Sequence, residues 1–334
     1  MFKSKSTPFI VAEISGNHLG RYDYATRLIE AAKSAGADAV KFQCFNPQEM
    51  APPGVKIEGG PWGGRSYQDL YAETATPDWW LPDLFNYAED LGIVAFASPF
   101  SPSGVEFLEH VDCPIYKIAS PEIIHGKLIQ AAAKTGKPLI ISTGMASIKE
   151  IHDAYAYAVA AGASDITFLH CISAYPAHSE DFNMRTLKMM VDNGFKVGLS
   201  DHSRSNTAAI MAVAMGATVI EKHLCLDRSL GGADAKFSLE PSEFREMVLA
   251  VREASTALGN VQYGCRGAEK SSYQYRRSLW IVRDMKAGQV ITEDDVAVLR
   301  PNHGVAPNQL SAIIGRKVKS KVVANTPLSM ELLK

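Results

Sequence analysis

The chain has no apolar run near the roughly 18 residues that a membrane-spanning helix needs. Its N-terminal stretch, MFKSKSTPFIVAEIS, holds too short an apolar segment for a secretory leader. Cysteine is scarce: Cys44, Cys113, Cys171, Cys225 and Cys265 are odd in number, widely spaced and form no CxxC pair. They read as free thiols in a reducing compartment, so the expected location is the cytoplasm. Charge excess is also missing, with Lys+Arg 34 against Asp+Glu 36 and a net charge of −2. No basic stripe supports a nucleic-acid partner, and any anionic ligand must meet locally placed cations. Two familiar motifs are absent as well. SGNHLG follows the first strand-like run where a dinucleotide fold would carry GxGxxG, and there is no HExxH.

What is present is a soluble-enzyme composition, 46% hydrophobic and 21% charged, in 334 residues, enough for one large domain and one small one. Short β-rich runs recur at Phe9–Ile14, Ala39–Gln43, Ile93–Ser98, Ile115–Ala119, Pro138–Thr143, Ile166–His170, Lys196–Ser200 and Thr218–Lys222. They are continuous rather than alternating, the pattern of strands buried on both faces. Helical periodicity lies between most of them, as with Ala25, Leu28, Ile29 and Ala32. Ser147–Glu150 forms a capping box, and Gly36, Gly92, Gly136, Gly162, Gly194 and Gly216 precede strands as helix stops. Eight such units over about 250 residues predict a (β/α)8 TIM barrel within the α/β class. We place the barrel at residues 1–258, a polar, Gly-containing linker at 259–272, and a small β-rich domain at 273–334.

In such barrels the active site lies at the C-terminal strand ends. Those ends are polar nearly throughout: Glu13 with Asn17 and His18, Lys41 with Gln43, Ser98, Lys117 with Ser120 and Glu122, Ser142 with Thr143, His170 followed by Tyr175, Ser200 with Asp201 and His202, and Glu221 with His223. Lysines there are costly unless paired, and serines can add hydrogen bonds to a phosphate. One such strand end would be an ordinary loop opening; four or five together argue for an anion site. His202 and His223 follow the last two strands, which are neighbours in a closed barrel, and two imidazoles can share a divalent ion while leaving positions open. A lone His near a barrel rim is more often a structural hydrogen-bonding group, so only the pair carries this reading. Glu13 is a candidate general base, or simply the ion-pair partner of Lys41.

At this point the sequence resembles a known family. VAEISGNHLG, KFQCF, ASPF, YKIAS-PE, STGMAS, LHCISAYP, GLSDHS, VIEKH and SLEP are similar to the motifs of the sialic acid synthase family. RRSLW, DMKAGQVITEDDVAVLRP and GRKV resemble its antifreeze-like (SAF) domain, so the likeness covers essentially the whole chain. The resemblance implies condensation of phosphoenolpyruvate with an N-acetylated amino sugar, assisted by a divalent metal, Mn2+ or Mg2+. It implies His202 and His223 as metal ligands, and Lys41, Ser98, Lys117, Ser120, Ser142 and Ser200 as the phosphoenolpyruvate cradle. Gln43, Glu122, Tyr175, Asp234 and Arg300 would contact the sugar, and Glu13 would handle the water or its proton. Arg300 would enter the barrel of a partner subunit in a domain-swapped homodimer.

Within the family, DAKFSLEP and GGPWGGRSYQDLYAETATP are similar to the pseudaminic acid synthase pattern. Sialic acid synthases carry GPDH where this chain has Ala235 in place of the His. Trp62 or Phe237 is then a candidate apolar contact for a deoxy-sugar methyl. A legionaminic or neuraminic precursor, a metal-dependent aldolase and a non-catalytic carbohydrate-binding role remain the alternatives.

Overall fold

The computed structural model describes residues 7–334; the first six residues of the N-terminal stretch read above lie outside it. Eight parallel strands close into a barrel in chain order: β1 Phe9–Glu13, β2 Ala39–Cys44, β3 Val94–Pro99, β4 Tyr116–Ile118, β5 Leu139–Ser142, β6 Ile166–Cys171, β7 Lys196–Asp201 and β8 Val219–His223. These are the runs expected from sequence, with ends moved by a residue or two. Closure comes from β8 pairing with β1, which sets Glu13 opposite His223. Every residue of β5 and β8 is buried, as a strand with side chains on both sides of a covered sheet must be.

The helices form the outer layer. That of Tyr22–Ala35 buries Ala25, Leu28, Ile29, Ala32 and Ala35, the face its spacing predicts. Burying a side chain such as Leu28 or Ile29 contributes about 1.5–3 kcal/mol. The helix Ile148–Ala160 starts at the Ser147 capping box, where the Ser147 side chain and the Glu150 side chain satisfy each other's backbone amides. A long excursion leaves the barrel between β2 and β3. Within it, Lys56 and Ser66 bridge antiparallel around a turn that carries Trp62. Gly59, Gly60 and Gly64 take positive φ there, which only glycine adopts without strain.

The chain divides into two compact units between Gly259 and Asn260. The second unit has a three-stranded antiparallel sheet of β9 Ser278–Ile281, β10 Val296–Leu299 and β11 Thr326–Pro327, in the order β10-β9-β11. Its other β-like runs meet only through single bridges, such as Met285 with Val322. Leu279, Ile281, Met285, Ile291, Ile313, Val318, Val322, Leu328 and Leu333 make its core.

Gly198 shows how tightly the barrel wall is built. A Cβ there would stand 2.4 Å from the Val219 carbonyl oxygen of β8 and 2.6 Å from Leu169 Cδ2 of β6. Gly198→Ala should therefore lower the unfolding free energy by about 1–3 kcal/mol, the usual cost of overpacking. A urea midpoint unchanged from the parent would contradict this close approach.

Candidate active site at the barrel mouth

The residues that end the strands converge on one buried polar cluster. Side chains alternate along a strand, so Glu221 and His223 of β8 share the inner face while Lys222 between them points outward. Glu13, Lys41, Lys117 and Glu221 are each no more than 4% exposed. Lys41 Nζ lies 2.5 Å from Glu13 Oε2 and 3.8 Å from Glu221 Oε2, and Lys117 Nζ lies 3.7 Å from Glu221 Oε1. Two cations and two carboxylates thus balance inside the barrel.

Burial pushes the Glu13 carboxyl up; Lys41 opposes this and the Glu221 charge adds to it, and the pKa stays raised. Burial would also raise Glu221, but Lys117 and Lys41 outweigh it and hold this carboxyl below its usual range. Burial would lower Lys41, yet Glu13 and Glu221 keep it raised. Lys117 is lowered by burial, which Glu221 only partly offsets. The two carboxylates are thus driven apart, Glu13 up and Glu221 down.

The serines sit beside the cations. Lys41 Nζ donates to Ser98 Oγ at 3.1 Å. The Gly144 amide donates to Ser120 Oγ at 3.0 Å, and a Cβ on Gly144 would fall 2.2 Å from Ser173 Oγ. Ser142 Oγ is buried without a hydrogen-bond partner. These are features of a polar cradle open to an anion. Ser200 stands differently: its hydroxyl is engaged by Glu221 Oε1 at 2.9 Å.

His202 and His223 face each other with ring centroids 5.3 Å apart. His202 Nδ1 lies 2.9 Å from the Ile172 carbonyl and 3.9 Å from Cys171 Sγ. We assign an Nδ1 proton to the shorter carbonyl contact; burial would lower this imidazole, yet Cys171, the Ile172 carbonyl and Glu221 together keep its pKa raised. His223 Nδ1 is buried with no partner. Burial, then the charge of His202, holds His223 well below its usual pKa, so this imidazole is neutral as a metal ligand must be. No group of three or more His, Cys, Asp or Glu side chains suited to a metal occurs among the described residues. What fits a divalent ion here is the unpartnered, buried His223 Nδ1 beside the facing His202 ring, two imidazoles that could hold it with other positions open to water and substrate.

Aromatic rings wall this half of the mouth. Tyr175 packs on His202 at 4.4 Å, and Phe237 lies 5.0 Å from both Tyr175 and His223. Trp62 reaches in from its turn to 5.3 Å from Tyr175, and its indole N–H donates to the Ala233 carbonyl at 3.0 Å. On the other flank Asp234, Ser15, Gln43 and Glu13 form a chain. Ser15 Oγ donates to Asp234 Oδ2 at 2.5 Å, and Gln43 Nε2 lies 3.0 Å from Ser15 Oγ and 3.4 Å from Glu13 Oε1.

Some residues fall elsewhere. Asn17 and His18 do not join Glu13. Asn17 donates to the Leu224 carbonyl and to Ser238 Oγ, and His18 packs edge-on against Trp80 with Thr76 at its Nε2. Arg300 is exposed at the end of β10 in the second unit. Sequence reasoning gave Glu221 no role although it is the hub of the charge cluster; the alternation in VIEKH, which puts Glu221 and His223 on one face, was the available signal. It also missed Ser15 and Cys171. Burial pushes the Cys171 thiol up, but His202, Ser120 and Lys117 together bring it down to about 7.

Glu122 borders a cleft of about 650 Å3 lined also by Phe45, Phe100 and His125. Its Oε2 is buried and unpaired. Burial raises its carboxyl to about 7 from an ordinary 4.5. The folded state thus binds a proton that the unfolded chain releases between these two values, so this group costs stability as pH rises through that window. Glu122→Gln should match the parent near pH 4 and be more stable by up to about 3 kcal/mol at pH 8, taking about 1.36 kcal/mol per unit. Chemical denaturation across that range measures it; a constant difference between the two proteins would refute the shift.

The mouth of the closed barrel thus brings two buried lysines and several serines together with two facing imidazoles. The chain belongs to the NeuB family, whose model matches residues 28–263, and a SAF domain model matches residues 276–334. It is 38% identical to a pseudaminic acid synthase of Helicobacter pylori over 97% of both chains. It is 36% identical to an N,N'-diacetyllegionaminic acid synthase of Legionella pneumophila over 98% of this chain and 95% of that one. Among solved structures, an N-acetylneuraminic acid synthetase from Leptospira borgpetersenii in complex with citrate matches with a TM-score of 0.73 and 31% identity, over 81% of this chain and 92% of that one. No helix among the described residues is long and apolar enough to cross a membrane.

Proposed function

We propose that this chain is a pseudaminic acid synthase. It condenses phosphoenolpyruvate with 2,4-diacetamido-2,4,6-trideoxy-L-altrose and water, giving pseudaminic acid and phosphate. The observation that carries the reading is the pair of buried lysines, Lys41 and Lys117, set among Ser98, Ser120 and Ser142 beside two facing imidazoles. The choice of sugar rests on the relatives of that name and on the apolar wall of Trp62, Tyr175 and Phe237, which suits a deoxy carbon better than a hydroxyl.

Phosphoenolpyruvate is an anion that competes with Glu13 and Glu221 for the two lysines. Its methylene carbon bonds to the aldehyde carbon of the open-chain sugar, and the aldehyde oxygen takes a proton. A divalent ion held by His202 and His223, Mn2+ or Mg2+, supplies Lewis acidity at that oxygen when bound. Water adds to the enolpyruvyl carbon, Glu13 accepts its proton, and the bond from that carbon to the bridging oxygen breaks as phosphate leaves. Ser200 exchanges Glu221 for a ligand oxygen. Gln43, Glu122, Tyr175 and Asp234 orient the sugar. We read the enzyme as a cytoplasmic, domain-swapped homodimer in which Arg300 of the partner subunit completes the sugar site.

The test is phosphate release from phosphoenolpyruvate by metal-stripped protein with Mn2+ restored, offering each sugar separately. Metal-dependent release is expected with the diacetamido-altrose, and Lys117→Met should raise KM for phosphoenolpyruvate at least tenfold. Release with N-acetylmannosamine or the legionaminic precursor instead would transfer the reading to that branch of the family, and release with none would overturn it.

A further inference from the structure

One buried ion pair plays no part in the chemistry above. In the β7–β8 register, Ser200 faces Glu221 and Asp201 faces Lys222. Ser200 and Glu221 bond inside the barrel, so Asp201 and Lys222 turn outward, beneath the helical layer. Both side chains are 0% exposed, and Lys222 Nζ lies 2.5 Å from Asp201 Oδ2. The pair is completely satisfied. Lys222 also donates to the Ser205 carbonyl at 2.8 Å, and Asp201 Oδ1 accepts the Ser203 amide at 2.8 Å.

A buried pair of this kind is not needed for stability alone, since apolar replacement of both members is often neutral or better. Its position suggests another use. Asp201 immediately precedes His202, and Lys222 immediately precedes His223. The contact therefore ties the two histidine-bearing strand ends at the residue before each ring. It also closes the turn 201–205 on which the His202 backbone lies. His202 has one further anchor, its Nδ1 contact to the Ile172 carbonyl, whereas the His223 ring has no hydrogen bond at Nδ1. The spacing of the two rings thus depends on how β7 and β8 are held together.

We propose that Asp201 and Lys222 are positioning residues that set the separation of His202 and His223 and thereby the affinity for the divalent ion. The proposal rests on the metal reading of those two histidines. Neither residue touches substrate or metal; they act through the imidazoles.

The test titrates Mn2+ into metal-stripped full-length protein and follows free Mn2+ by electron paramagnetic resonance. It compares the parent with Asp201→Asn/Lys222→Met, in which the introduced carboxamide keeps an oxygen for the Ser203 amide. Melting temperature in EDTA and KM for phosphoenolpyruvate at saturating Mn2+ are measured alongside. The expected result is Mn2+ binding weakened at least tenfold, with the melting temperature within a few degrees of the parent and KM within twofold. Parental Mn2+ affinity in the double variant overturns the proposal, as does a KM that rises in step with the Mn2+ constant, which would mean general distortion. If the double variant does not fold, Lys222→Arg decides. It keeps the charge but not the fit, and is expected to weaken Mn2+ at least threefold; parental affinity there overturns the proposal. Failure of the parent itself to bind Mn2+, or binding that survives His202→Ala/His223→Ala, overturns the metal reading instead.

Discussion

The buried contact between Lys41 and the carboxylates of Glu13 and Glu221 is the constraint around which the barrel mouth is arranged. An ion taken out of water costs several kcal/mol even after relaxation. Four ionisable groups, from β1, β2, β4 and β8, cannot be buried together unless their charges close on one another. Glu13 and Lys41 meet between neighbouring strands, while Glu221 of β8 reaches Lys41 of β2 and Lys117 of β4, strands far from it in sequence. The interior of the barrel is apolar below this level and ionic at it, and only the closed eightfold topology puts β8 next to β1 so that Glu221 can reach Lys41 and Lys117. Opening the sheet anywhere would leave at least one of these charges alone.

The same alternation that builds the cluster separates two kinds of buried lysine. Lys41 and Lys117 point inward, where their partners are carboxylates that a ligand anion can rival. Lys222 points outward, where Asp201, Ser205 and Ser203 leave no room for a rival. Burial is nearly identical for the three. What distinguishes the two kinds is whether their partners are complete: Glu221 Oε2 and Ser142 Oγ, around the inward pair, lack hydrogen bonds, while the outward pair lacks none.

The barrel was legible in the sequence because its signals are local: continuous β-branched runs, helix faces at 3.6 spacing and glycine stops. The C-terminal strand ends followed from those runs by geometry alone, so Glu13, Lys41, Lys117, His202 and His223 could be placed near one another before any coordinates. What could not be read was which neighbours each would choose. Ser200 falls at a strand end like the other serines, yet its register partner is Glu221 and it bonds there. Asn17 and His18 follow Glu13 by only a few residues, but a short 3-10 turn at Ser15–His18 rotates them away from the axis. Ser15, at the start of that turn, is instead carried onto Asp234, more than two hundred residues later. Such contacts depend on register and turn geometry across the whole barrel, to which periodicity is blind. In the second unit the local signals were weaker because its chain meets mostly through isolated bridges, leaving few residues in extended runs.

The mouth has two chemically different halves. From β2 to β5 the lining is lysine and serine, suited to an anion. On β7 and β8, with Trp62, Tyr175 and Phe237, it is imidazole and aromatic carbon. On the proposed reading, phosphoenolpyruvate and the sugar aldehyde approach from opposite halves, and the new bond forms where the halves meet. The residue at that seam is Glu13: it is paired with Lys41 on the anion side, opposite His223 in the β1–β8 register, and linked through Gln43 and Ser15 to Asp234 on the sugar side. An anion that draws Lys41 away from Glu13 leaves a carboxyl already raised by burial without its main stabilising cation.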